Sequence, residues 1–135
     1  MSAAELVAEL RSRINIVEEA YEFMLAYASQ GLASDQGSDT GRQAREYLKR
    51  CDTALTNLGD FLNGFTDRLG VEPAAPYRAF IAVIDRDARD AQAAVQLVLA
   101  QPAISSQLVD NLNASIHLRA LLTDLFLIDE VFKHR

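Results

Sequence analysis

The side chains with the most potential for metal chemistry are the two histidines, His117 and His134. Helical bundles that bind two iron ions use Glu-x-x-His on two helices and a further Glu on each of the others. The residues three positions before the histidines are Ala114 and Val131, so neither motif is present. The sequence therefore predicts no metal site and no cofactor. A bundle that binds a small apolar ligand, or haem with His117 as axial ligand, is an alternative.

His117 is also a candidate phosphoacceptor. Residues 115–119, Ser-Ile-His-Leu-Arg, resemble the dimerisation helix of sensor kinases, whose motif is His-Glu-Leu-Arg-Thr-Pro. The acid after the histidine and the proline are both missing here. Histidine phosphotransfer domains carry His-x-Leu-Lys-Gly, whereas this chain has His-Leu-Arg-Ala. A histidine phosphorelay module that uses His117 is therefore an alternative function rather than the main one.

Nucleophilic catalysis requires an activated serine or cysteine with a base within reach. Cys51 lies on the apolar stripe of a predicted helix, and this position favours a small buried side chain. Gly37 and Gly41 flank Ser-Asp-Thr without a following lysine, so they do not form a phosphate-binding loop. We therefore predict that the chain is not an enzyme.

The loop before the second predicted helix is a candidate contact site for an anion or for an acidic side chain of a partner. Arg42 and Arg45 lie in the first turns of that helix, where the N-terminus favours negative charge. Asp35 and Asp39 oppose this positive charge. A capped, solvated loop is the preferred interpretation.

The elements that position these residues are predicted to be long helices. The chain has 135 residues, which suits one domain, and only 3 prolines and 6 glycines interrupt it. The net charge is −6 and no run of Lys or Arg offsets it, so we expect neither nucleic acid nor an anionic membrane as partner. The first residues lack a basic region followed by an apolar run, and we expect a cytoplasmic protein.

Apolar residues recur at alternating steps of three and four, as on one face of a helix. This spacing predicts four helices over about 2–30, 40–69, 76–100 and 105–133. Short connections make neighbouring helices antiparallel. The predicted fold is therefore all-α, an antiparallel up-down-up-down four-helix bundle that forms a single domain over 1–135.

Helix boundaries are indicated by capping residues. Ser2 and Glu5 have the spacing of a capping box, and so do Thr40 and Gln43. Gly70 lies where a glycine commonly ends a helix.

The fourth predicted helix carries more apolar residues than one stripe requires. Its first stripe consists of Leu118, Leu121, Leu125, Ile128 and Phe132. Residues that point away from that stripe are also apolar and form a candidate partner-binding set: Val109, Leu112, Ile116, Phe126, Leu127 and Val131. They indicate either a broad core-facing surface or a second interface, and large exposed apolar patches are typical of interaction sites.

The preferred function is a non-enzymatic protein-interaction module with a regulatory, adaptor or assembly role. We expect it to act as a homodimer through the fourth helix, because a twofold contact covers both copies of an apolar patch at once. A further protein partner is expected, and its identity is not contained in the sequence.

Overall fold

A computed structural model describes residues 1–134 of the chain. These residues form helices joined by turns, and no β-strand occurs among them. The helices in chain order are α1 (Ala3–Ala28), α2 (Asp39–Leu55), α3 (Leu58–Leu69), α4 (Ala74–Leu99), α5 (Ser106–Ala114) and α6 (His117–Lys133). The prediction of an all-α fold is confirmed for this part of the chain.

The prediction of four continuous helices is corrected, because the structure has six helices over residues 1–134. The predicted helix at 40–69 is divided into α2 and α3, and the one at 105–133 is divided into α5 and α6. The predicted helices at 2–30 and 76–100 each form one helix, α1 and α4. The alternating steps of three and four therefore located the apolar faces but not the two interruptions.

Asn57 makes the first interruption, between α2 and α3. Its φ of 55° is in the left-handed region, which asparagine adopts more readily than most residues do. The carbonyl groups released there are bound by Arg13 of α1, whose Nη1 donates to the oxygens of Ala54 (3.2 Å) and Thr56 (2.9 Å). The interruption is tolerated because these carbonyls have hydrogen-bond partners outside their own helix.

Ile116 makes the second interruption, between α5 and α6. Its φ is 65°, which is a true outlier for a β-branched residue. Just before it, the Ser115 hydroxyl donates to the carbonyl of Leu112 (2.6 Å) and closes the end of α5. The Asn113 amide donates to the carbonyl of Met24 (3.2 Å) and fixes α5 against α1. The following helix starts in a new register, so α6 does not continue the buried face of α5.

The helices α1 and α4 lie at opposite corners, with α2 and α3 between them on one side and α5 and α6 on the other. The pair α1 and α2 runs antiparallel, since Arg13 contacts Thr56 at one end and Phe23 stacks on Tyr47 (4.6 Å) towards the other. In this arrangement α4 and α6 are neighbours and meet at the outer surface of the bundle.

All six helices contribute to a single core of buried apolar side chains. Cys51 of α2 belongs to it and is fully buried. Burial raises the pKa of its thiol to about 12, so the reactive thiolate is negligible near neutral pH. Cys51 therefore acts as a small apolar core residue.

Hydrogen bonds join the connection between α1 and α2 to the connection between α4 and α5. Asp35, in the connection from α1 to α2, is buried and accepts hydrogen bonds from Arg45 Nε (2.8 Å) and from the Ile104 N–H (2.7 Å). The Tyr27 hydroxyl donates to the Ile104 carbonyl (2.7 Å). Burial acts to raise the pKa of Asp35, but these hydrogen bonds outweigh it and hold the pKa below its usual value. The connection predicted as a capped, solvated loop is largely exposed and is capped by Ser38, but the buried Asp35 attaches it to the connection between α4 and α5.

Helix starts agree with the sequence at one capping box and differ at the other. The Ser2 hydroxyl accepts a hydrogen bond from the N–H of Glu5 (3.1 Å), as predicted for α1. At α2 the capping residue is Ser38, whose hydroxyl accepts from the Gly41 N–H (3.0 Å), so the predicted Thr40 lies inside the helix. Gly41 is packed so closely on the backbone of Asp35 that a larger residue would displace this connection.

Candidate functional site

An apolar groove lies on the outer surface between α4 and α6. Pro76, Tyr77 and Phe80 line it from α4, and Leu127, Ile128 and Val131 line it from α6. Its volume is about 270 Å³, and it is open to solvent along its length. Leu127 and Val131 are 54% and 42% exposed, which is unusual for large aliphatic side chains on one helix face. No described residue covers these two side chains.

Aromatic packing joins α3, α4 and α6 next to the groove. Phe132 of α6 packs against Phe65 of α3, with ring centroids 4.6 Å apart, and stacks on Tyr77 of α4 at 5.9 Å. Phe65 is fully buried. Side chains of three helices therefore pack together beside the groove.

Two carboxylates, Asp87 of α4 and Asp124 of α6, lie against each other beyond one end of the groove. Both side chains are half-buried. Burial, followed by the neighbouring Asp87, raises the pKa of Asp124 to about 7. Neither carboxylate forms an ion pair with a described residue, and one buried oxygen of Asp124 accepts no hydrogen bond within residues 1–134. Because the pKa of Asp124 is about 7, this carboxyl is partly protonated near neutral pH, and the remaining negative charge of the pair has no ion-pair partner within residues 1–134.

The residues of the predicted partner-binding set differ in their exposure to solvent. Val109 and Leu112 of α5 are buried in the core, so their assignment to a surface is corrected: the interruption at Ile116 turns their face inwards. Ile116, Leu127 and Val131 are exposed, and so is Phe126, at 44%. These four have the exposure that a partner-binding role requires, but the role itself stays a prediction.

The exposed residues of α6 do not form one patch. Successive residues of a helix are rotated by about 100°, so Phe126 and Leu127 point to different sides. Leu127 lines the groove with α4, whereas Phe126 does not. By the same geometry, the exposed polar residues between these two sides are Arg119, Thr123 and Glu130.

The two arginines proposed for an anion differ in their surroundings. Arg45 is half-buried, and its donors are used by Asp35 and by the carbonyls of Leu99 (3.0 Å) and Gln101 (3.1 Å). The prediction that Arg45 contacts an anion or a partner is therefore corrected, because its donors bind the α1–α2 connection and the C-terminal end of α4. Arg42 is exposed but paired with Asp39.

The open depression around Arg42 has no excess of positive charge. Its charged lining residues are Asp35, Asp39, Glu46, Arg42, Arg45 and Lys49. Acidic and basic side chains are equal in number there, so the depression does not favour an anion.

His117 is exposed at the first residue of α6 and does not point into the core. The role of His117 as an axial haem ligand stays an untested alternative. The phosphoacceptor role of His117 stays a prediction. His134, at the other end of α6, contacts Glu130 at 2.8 Å. Within residues 1–134, no three metal-ligating side chains come together.

Neither the α4 side of the groove nor the acid pair was predicted from the sequence. On α4, Tyr77 and Phe80 lie about one turn apart. Asp124 did carry a signal, because it is a lone acid between the apolar pairs Leu121–Leu122 and Leu125–Phe126. Its contact with Asp87 joins two helices that are far apart in sequence, and no local spacing reveals it.

Comparisons with known proteins do not assign this arrangement to a family. No family model matches the chain, and neither curated proteins nor solved structures give a significant match. In the part of the chain that the structure describes, no helix combines the length and the apolar character needed to cross a bilayer.

Proposed function

We propose that this chain is a non-enzymatic protein-interaction domain that binds an apolar helical segment of a partner protein in the groove between α4 and α6. The observation that carries the proposal is the exposure of Leu127 and Val131 beside an apolar wall from α4. Such grooves are a common way to bind the apolar face of an amphipathic helix. A regulatory, adaptor or assembly role is consistent with this kind of binding.

The shape of the groove favours a helix over a small molecule. Pockets for small ligands usually enclose most of the ligand and have volumes of about 300–1,000 Å³. This groove is smaller, at about 270 Å³, and open. It can receive the protruding side chains of a helix, whose backbone then remains on the surface.

A second copy of the chain is the less favourable occupant. A standard interface buries about 800 Å² on each partner, which is more than the groove alone supplies. Extending a twofold contact across α6 would bury Arg119 and Glu130, and extending it along the groove would bury two copies of the Asp87–Asp124 pair. Burial of unpaired charge is costly. The homodimer expected from the sequence therefore stays a prediction to be tested by mass.

The proposal can be tested with peptides selected from a displayed library of helical sequences of about 14 residues, randomised at positions i, i+3, i+4 and i+7. We expect selected peptides to carry large apolar residues at these positions. The chain contains no tryptophan, so a peptide labelled with tryptophan gives a fluorescence signal without background. Leu127→Glu should weaken the binding of a selected peptide at least about tenfold, because a carboxylate enters the apolar contact.

Phe126→Glu is the matched control, since it makes the same change of charge at an exposed apolar residue on the same helix but outside the groove. It should leave the affinity unchanged. The proposal fails if the selection gives no binder, or if both variants weaken binding equally. Circular dichroism on both variants establishes that the helices remain folded.

A further inference from the structure

Resting on the proposed function, we infer that the partner helix carries a lysine or arginine one to two turns beyond its apolar anchor residues, and that Asp87 and Asp124 bind this cation. The groove would then select a basic amphipathic helix rather than any apolar one. The inference concerns the acid pair, which the apolar contact alone does not use.

The first argument is charge complementarity. Asp87 and Asp124 come from different helices, are half-buried beside each other where α4 meets α6, and have no cationic partner among residues 1–134. By contrast, the buried Asp35 pairs with Arg45, and the half-buried Asp85 pairs with Arg89. Partially buried carboxylates without a counter-charge are energetically unfavourable, so a partner that supplies one gains affinity.

The second argument is position. Asp124 lies three residues before Leu127 on α6, and Asp87 lies seven residues after Phe80 on α4. At about 1.5 Å per residue, these separations are about 4.5 Å and 10 Å along the two helices. A bound helix that follows the groove therefore passes the acid pair between one and two turns from its anchor residues.

The third argument is chemical. A lysine or arginine has a long aliphatic stem that can lie on apolar surface while its charged end reaches a carboxylate. Such a side chain suits a site in which apolar lining residues lead directly to an acid pair. A neutral or acidic residue at the same position would leave the carboxylates uncompensated or add to their repulsion.

The test uses the full-length chain and a second peptide library, in which the positions one and two turns beyond the anchors are also randomised. Selection should enrich lysine and arginine at one of these positions. In the tightest peptide, replacing that cation with glutamine should weaken binding to the wild-type chain about tenfold at low salt. The same replacement should change binding to the Asp87→Asn/Asp124→Asn double variant less than about twofold.

Asp60→Asn provides the control, because it removes an equal charge at an exposed position of α3. This variant should retain the full effect of the peptide substitution. Apolar peptides that bind without enrichment of a cation would overturn the inference and leave the proposed function intact. Failure to select any peptide would overturn both. A dimer that Leu127→Glu dissociates would identify a second copy as the occupant and also overturn the inference.

Discussion

At the residue scale, the raised pKa of Asp124 predicts how stability changes with pH. The folded state holds a proton on this carboxyl up to about pH 7, whereas an aspartate in an unfolded chain loses it near pH 4. The stabilisation is therefore present below about pH 4 and is lost as the pH rises through about 7. Because the group is only half-buried and partly screened, we expect a loss of about 1–2 kcal/mol.

Denaturant unfolding at several pH values measures this effect. The free energy of unfolding of Asp124→Asn, relative to wild type, should rise between about pH 4 and pH 8, because the amide does not ionise. Asp110→Asn, at an exposed position of α5, is the control and should show no such trend. Comparing each variant with wild type cancels the opposite contribution of Asp35, whose lowered pKa makes its stabilisation disappear in acid. A flat difference for Asp124→Asn would show that the acid pair is not formed.

At the scale of elements, the two interruptions decide which faces are buried. The sequence predicted continuous helices over 40–69 and 105–133. Neither Asn57 nor Ile116 is a glycine or a proline, the residues that usually indicate a break in a helix. Each interruption is stabilised by distant groups: Arg13 binds the carbonyls freed before Asn57, and Asn113 binds the Met24 carbonyl beside the second one. Tertiary contacts of this kind override helix propensity and leave no local pattern.

Substitution of Ile116 distinguishes an interrupted helix from a continuous one. Ile116 is 51% exposed, so little packing is lost when its side chain is removed. In a left-handed conformation glycine is favoured over alanine by about 1 kcal/mol, whereas inside a helix alanine is favoured by a similar amount. We therefore expect Ile116→Gly to be about 1 kcal/mol more stable than Ile116→Ala in thermal or urea unfolding. The reverse order would show that α5 and α6 form one helix, as the sequence alone predicted.

At the scale of the whole molecule, sequence periodicity predicted more of the core than of the surface. The stripe of the fourth predicted helix from Leu118 to Ile128 is buried, because burial depends on a repeat that is local in sequence. The groove depends instead on how α4 and α6 meet, so only its α6 side was predicted, through Leu127 and Val131. The acid pair was missed for the same reason. A change of register at Ile116 then moved Val109 and Leu112 from the predicted surface into the core.

At this scale, the distribution of exposed apolar residues predicts the oligomeric state of the protein in the absence of a partner. Leu127 and Phe126 point to different sides of α6, and polar residues separate them, so these two side chains do not form one apolar face. We expect sedimentation equilibrium to give the mass of one chain, 14.9 kDa, from about 1 to about 100 µM. Leu127→Glu should leave this mass unchanged. A wild-type dimer that this substitution converts to monomer would instead show that the groove binds a second copy, as the sequence first led us to expect.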